Sequence, residues 1–127
     1  MTGDVVATWA EIDTWLASHA PTTLAALAGP VSEETIAAVE RALGRALPPD
    51  VIASYRVHDG YTSLHHYEYV PLGVGLEYWQ SHAGLTGRVS ANVSSKIKPV
   101  YWHPGWFPLA MDGGGNLLCV DLDPEPE

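Results

Sequence analysis

Three aspartates near the C-terminal end, Asp112, Asp121 and Asp123, offer the richest chemistry in this 127-residue sequence. In the run Leu118-Cys119-Val120-Asp121-Leu122-Asp123, strand alternation puts Asp121 and Asp123 on one face and Leu118, Val120 and Leu122 on the other. Asp112 lies across a glycine-rich turn from them. Converging carboxylates hold a hard cation such as calcium or magnesium, or meet the arginines of a basic partner. Turn formation alone also accounts for Asp112 and Asn116, and that reading takes precedence.

Other constellations point away from catalysis. Six histidines are present, but His65 and His66 are adjacent and face opposite ways in a strand. His19, His58, His82 and His103 lack zinc-type spacing, and Cys119 is the one cysteine. His58 precedes Asp59 where a helix ends, a favourable place for a histidine beside the dipole's negative end. Gly113-Gly114-Gly115 has no Lys-Ser/Thr after it and leads into a strand, so it is no phosphate cradle. There is no Gly-x-Ser-x-Gly elbow. The sequon Asn92-Val93-Ser94 is idle without a secretory route. The expectation is a protein with no catalytic residue, no metal and no cofactor.

Charge narrows the partners. Six Lys and Arg stand against 15 Asp and Glu, a formal net charge of −9. That excess repels nucleic-acid phosphates and anionic membranes, whose binding relies on Lys and Arg, and attracts a basic protein. Neither a signal-peptide pattern nor an apolar run of about 20 residues is present. The lone cysteine suits a reducing compartment, so the expected location is cytoplasmic. Candidate partner-binding residues are Glu68, Glu77, Asp112, Asp121 and Asp123, with the aromatic Tyr67 and Trp79 as anchors of the kind found in interface hot spots.

The elements that must position these residues follow from periodicity. Val5, Trp9, Ile12 and Leu16 recur at helical spacing, and Pro21 ends that helix or follows its end. Thr22 and Thr23 cap a short turn holding Leu24 and Leu27. Ser32 is an N-cap for a helix carrying Ile36, Val39 and Leu43, with Glu33 and Glu34 in its first turn and Gly44 closing it. Pro48-Pro49 opens a third helix with Val51, Ile52 and Tyr55 inward. His66 to Leu72 reads as a strand, Gly75 to Leu85 as a short helix, and Arg88 to Lys98 as a connection. Trp106 to Ala110 and Leu117 to Leu122 form a hairpin about the Asp112–Asn116 turn. Helices first and strands later, without βαβ alternation, predict an α+β fold with a small, mainly antiparallel sheet. The buried set is predicted to be Trp9, Ile12, Leu16, Ile36, Val39, Leu43, Val51, Ile52, Tyr55, Leu118, Val120 and Leu122.

The sequence resembles the SUKH superfamily, through Trp9 to Leu16, Ser32-Glu33-Glu34-Thr35-Ile36, Leu47-Pro48-Pro49-Asp50, His58-Asp59-Gly60 and the block Trp106 to Pro124. Tyr61 departs from the polar residue usual after His-Asp-Gly. The resemblance implies one domain over residues 1–127, short of the C-terminal strand and helix with which the family pattern continues. Bacterial members look like immunity proteins, so the resemblance implies a non-catalytic protein that neutralises a cognate basic toxin, a nuclease for example, by occlusion. The alternative it implies is a regulatory scaffold or ligand-binding adaptor linked to the cell wall or signalling.

Overall fold

Local capping chemistry sets the helix boundaries. Asp4 accepts the Ala7 N–H at 3.0 Å and starts α1 (Val5–His19). Pro21 takes the first position of α2 (Pro21–Ala26), so it opens a helix as well as following one. Ser32 accepts the Thr35 N–H at 3.1 Å at the start of α3 (Glu33–Leu43), which ends on Gly44 in the left-handed region. Proline again opens α4 (Pro49–Val57). The computed structural model describes residues 3–61, 68–85 and 102–124.

The strand predicted for 66–72 is seen as β1 (Glu68–Tyr69), with Leu72 already starting α5 (Leu72–Ser81). A long-range cap makes that change of state: the Asp59 carboxylate accepts the Leu72 N–H at 2.8 Å, satisfying a donor that has no partner within the helix. Gly60 is required beside it. Its φ is +85°, and a Cβ there would stand 2.4 Å from the Pro71 nitrogen. A short 3₁₀ turn, Ala83–Leu85, follows α5. The connection predicted over 88–98 lies outside the described residues.

β2 (Trp106–Met111) and β3 (Leu117–Asp121) complete an antiparallel sheet in the order β1-β2-β3. The α+β class is therefore as predicted. Phe107 pairs with Val120, Pro108 with Cys119 and Trp106 with Asp121. The register shifts between Pro108 and Ala110, leaving Leu109 as an extra residue. The Leu122 N–H donates to the Gly105 carbonyl at 2.6 Å. By antiparallel alternation, Pro108 then has its missing N–H on the side away from β3. That side faces α5, whose Gly75 would put a Cβ 2.7 Å from the Pro108 oxygen. The helix shields an edge that two-residue β1 leaves unpaired.

The core joins helices to sheet. Val31, Ile36, Val39, Leu47, Tyr55, Leu72 and Phe107 are buried together, with Leu43, Val51, Ile52, Leu76, Leu109, Val120 and Leu122 packed against them. Two residues of the predicted core belong elsewhere: Ile12 is 40% exposed and Leu118 59%. No residue of α1 is fully buried, because that helix lies on the outside of α4 and is fastened largely by polar contacts. Trp9 Nε1 donates to Ser54 Oγ at 2.8 Å, and that hydroxyl shares a 3.0 Å hydrogen bond with Tyr69. His58 meets the Ala28 carbonyl through Nδ1 at 2.6 Å and the Asp13 carboxylate through Nε2 at 2.9 Å. The His-Asp-Gly triplet is thus a structural junction: His58 ties down α1 and the end of α2, Asp59 starts α5, and Gly60 lets the chain pass Pro71.

Candidate functional site

The hairpin carries two opposed faces. Val120 and Leu122 pack into the core, which leaves Leu117, Cys119 and Asp121 on the other face by alternation. These three, with Trp106 from β2, line a groove of about 580 Å³. Gly115 and Asn116 of the turn close one end; His82, Leu85 and Trp102 form the remaining wall. From Gly115 to Asp121 the groove runs roughly 20 Å, at about 3.3 Å per residue.

Its wall is largely aromatic. Trp102 and Trp106 meet edge to face, centroids 5.9 Å apart and planes at 89°. The His82 ring lies 4.8 Å from Trp102, and His103 lies 6.0 Å from Trp106. His82 is held in place by a 2.8 Å contact from Nδ1 to the Tyr78 carbonyl. Cys119 sits on the floor, where burial pushes its thiol up to about 11. That keeps it protonated near neutral pH and a poor nucleophile.

The turn is built by Asp112. Its carboxylate accepts the Asn116 side-chain amide at 2.6 Å, the Gly114 N–H at 2.7 Å and the Asn116 N–H at 3.1 Å. The Asn116 amide, and then the Gly114 N–H, lower the Asp112 pKa below the ordinary aspartate value. Gly113 and Gly115 both have positive φ, +80° and +95°. This is turn chemistry, and it places Asp112 at one end of the hairpin while Asp121 occupies the other. The approach of Asp112 to Asp121 and Asp123 entertained from the sequence is corrected by the register: the strands hold the turn and the far end apart by roughly 13 Å or more. Among the described residues, no group of three His, Cys, Asp or Glu is placed to hold a metal ion.

The remaining candidates scatter. Asp121 and Asp123 are exposed at the end of β3, and Asp121 accepts the Asp123 N–H at 2.9 Å. Glu77 is exposed on α5. Trp79 packs partly against the core and donates its indole N–H to the Pro104 carbonyl at 2.9 Å. Tyr67 lies outside the described residues. Glu68 is no part of an exposed acidic face: it is 5% exposed, and neither carboxylate oxygen has a hydrogen-bond partner. Its position opposite Met111 in the sheet turns it inward. The residues that sequence reasoning passed over are Leu117, Trp106 and His82. The alternation that set Leu118, Val120 and Leu122 aside as apolar also implied the Leu117-Cys119-Asp121 face. No sequence signal places His82 beside it.

A small antiparallel sheet with helices packed on one face and, among the described residues, an aromatic-walled groove on its hairpin defines an α+β domain. The model of the SMI1 / KNR4 family (SUKH-1) matches residues 30–127, and the chain belongs to that family. Over 93% of its length the chain is 28% identical to the cell wall assembly regulator SMI1 of Saccharomyces cerevisiae, covering 32% of that protein. It is 29% identical, again over 93%, to the cell wall biosynthesis/cell cycle regulator smi1 of Schizosaccharomyces pombe, covering 28% of it. A stretch of 31 residues, 24% of the chain, is 55% identical to a glucan synthesis regulatory protein of Neurospora crassa, covering 6% of it. The chain therefore spans about a third of the length of the first two relatives. No helix among the described residues is long and apolar enough to cross a membrane.

Proposed function

We propose that this domain is a non-catalytic protein-binding module, a regulatory adaptor whose partner docks along the hairpin groove. The observation that carries this reading is the groove itself: two tryptophans and a histidine wall one face of the hairpin, and Leu117 and Asp121 stand at its two ends. Interfaces concentrate their binding energy in aromatic anchors of this kind, rimmed by polar groups. The names of the relatives, a regulator of cell wall assembly and a glucan synthesis regulatory protein, favour regulation over toxin neutralisation. An enzyme reading finds no support in the groove's one thiol, since Cys119 is held protonated near neutral pH by burial.

The test is affinity purification of the tagged domain from its source cells, read by quantitative mass spectrometry. The wild type and Val6→Lys, altered on the exposed side of α1, retain a common set of proteins that Leu117→Lys loses. Identical sets for all three would remove the groove from consideration. The immunity reading keeps one supporting observation, the net charge of −9. It predicts instead that the retained protein is a basic toxin whose activity falls on binding.

A further inference from the structure

We propose that the groove takes a proline-rich segment of the partner protein, laid along it as a left-handed polyproline II helix and flanked by basic residues. The proposal rests on the groove being the partner-binding surface and names the segment that it recognises. The groove runs over the face of the hairpin and not along its edge, so its floor is made of side chains: Leu117, Cys119 and Asp121 from β3 and Trp106 from β2. An extended segment lying there meets no ladder of backbone carbonyls, and each of its N–H groups taken from water loses a partner. The floor offers little in return. Cys119 is a protonated thiol, Leu117 is apolar, and the Asp121 carboxylate already accepts the Asp123 N–H. Proline alone among the residues has no N–H to lose.

The wall suits the same occupant. Trp106 is half-buried, with its ring edge to face against Trp102 at 5.9 Å and tilted against His103 at 6.0 Å. Trp102 is itself 5% exposed and forms a fixed backing. An indole held in this way packs against a pyrrolidine ring with little further loss of rotamer freedom. Trp9 and Trp79 give their indole N–H to Ser54 and to the Pro104 carbonyl; among the described residues none accepts that of Trp106. A proline-rich segment brings carbonyls for this donor and no competing N–H. Length and charge agree. The trough of roughly 20 Å takes about six residues at about 3.1 Å each. Counted over the whole chain, six Lys and Arg stand against 15 Asp and Glu, so the net charge draws in basic flanks.

The test titrates three blocked decapeptides into the ¹⁵N-labelled protein. The first has six prolines between two lysines at each end. The second replaces the prolines by alternating glycine and alanine, and the third keeps the prolines but replaces the lysines by glutamates. The first peptide is expected to move the Trp106 indole N–H and the Leu117 and Cys119 amide resonances. Its Kd should lie at least tenfold below that of either other peptide. Trp106→Phe keeps an aromatic ring and removes only the donor, so it should melt with the wild type and bind the first peptide at least threefold more weakly. Equal binding of the first peptide and either of the others to the wild type, shifts mapping away from the groove, or no shift at millimolar peptide would overturn the proposal. Affinity purification separates the two levels of the argument. No shift with the first peptide, while partners are lost from Leu117→Lys, overturns the proline-rich segment alone, whereas partners kept by Leu117→Lys overturn the groove reading on which it rests.

Discussion

Replacing Gly75 by alanine sets two effects of known size against each other. In a helix interior alanine is favoured over glycine by about 1 kcal/mol. At Gly75, however, the added Cβ would stand 2.7 Å from the Pro108 carbonyl oxygen and 3.2 Å from two atoms of the Phe107 ring. Phe107 is 0% exposed and Pro108 is among the fully buried side chains, so neither neighbour can swing away. Relief would need α5 to lift from β2. Overpacking of this sort costs about 1–3 kcal/mol, which leaves Gly75→Ala less stable than the wild type by up to about 2 kcal/mol. Gly73, two residues earlier in the same helix, has nothing within 4 Å of its Cβ position. Gly73→Ala should therefore gain up to about 1 kcal/mol. Urea unfolding followed by circular dichroism measures both, and the two variants should differ by about 1–3 kcal/mol, or roughly 4–12 °C in Tm. Equal stabilities would refute the close approach of α5 to the unpaired edge of β2.

Other consequences are as direct. His58→Ala removes the bonds to Asp13 and the Ala28 carbonyl and should cost about 2–3 kcal/mol, with α1 amides losing hydrogen-exchange protection before those of α4. Glu68→Met replaces a buried carboxylate that has no hydrogen-bond partner with an apolar side chain of similar length, and should raise stability by about 1–2 kcal/mol in the same urea assay. With its thiol pushed up to about 11, Cys119 should be alkylated by iodoacetamide at pH 7.5 far more slowly than an unfolded control, since it holds on the order of a hundredfold less thiolate; the rate should climb with pH up to that value. If an acidic face steers the partner, association should slow between about 0.1 M and 1 M salt as the Debye length falls from about 10 Å to about 3 Å, and Asp121→Lys with Asp123→Lys should lower the on-rate without unfolding the domain.

Where local chemistry decides, residue types foretell the structure. Ser32 and Gly44 bound α3, Pro49 starts α4, and Asp112 with its glycines makes the turn, because each interaction spans only a few residues. Periodicity located Ile36, Val39 and Tyr55 correctly in the core. It failed at Ile12 and Leu118 because an apolar stripe says which face is apolar, not how far its neighbours reach to cover it. Leu72 was read as strand because its cap, Asp59, is 13 residues away, beyond any local signal. The groove was legible only in half. Alternation set Cys119 and Asp121 on one face, but Trp106 joins them through pairing register, and His82 and Trp102 through tertiary packing. Glu68 was misjudged because a charge seen in sequence is taken as exposed, and here strand pairing with Met111 carries it inside.

The central claim, that a partner protein lies along the outer face of the hairpin, is tested most directly by site-specific photo-crosslinking in the source cells. A benzophenone amino acid is placed at Leu117 in one sample and at Trp15, which is 57% exposed on α1, in another. The account predicts a discrete crosslinked protein at Leu117 that disappears when Trp106→Leu is added, and none at Trp15. Crosslinking at Trp15 alone would contradict it and move the docking surface to α1.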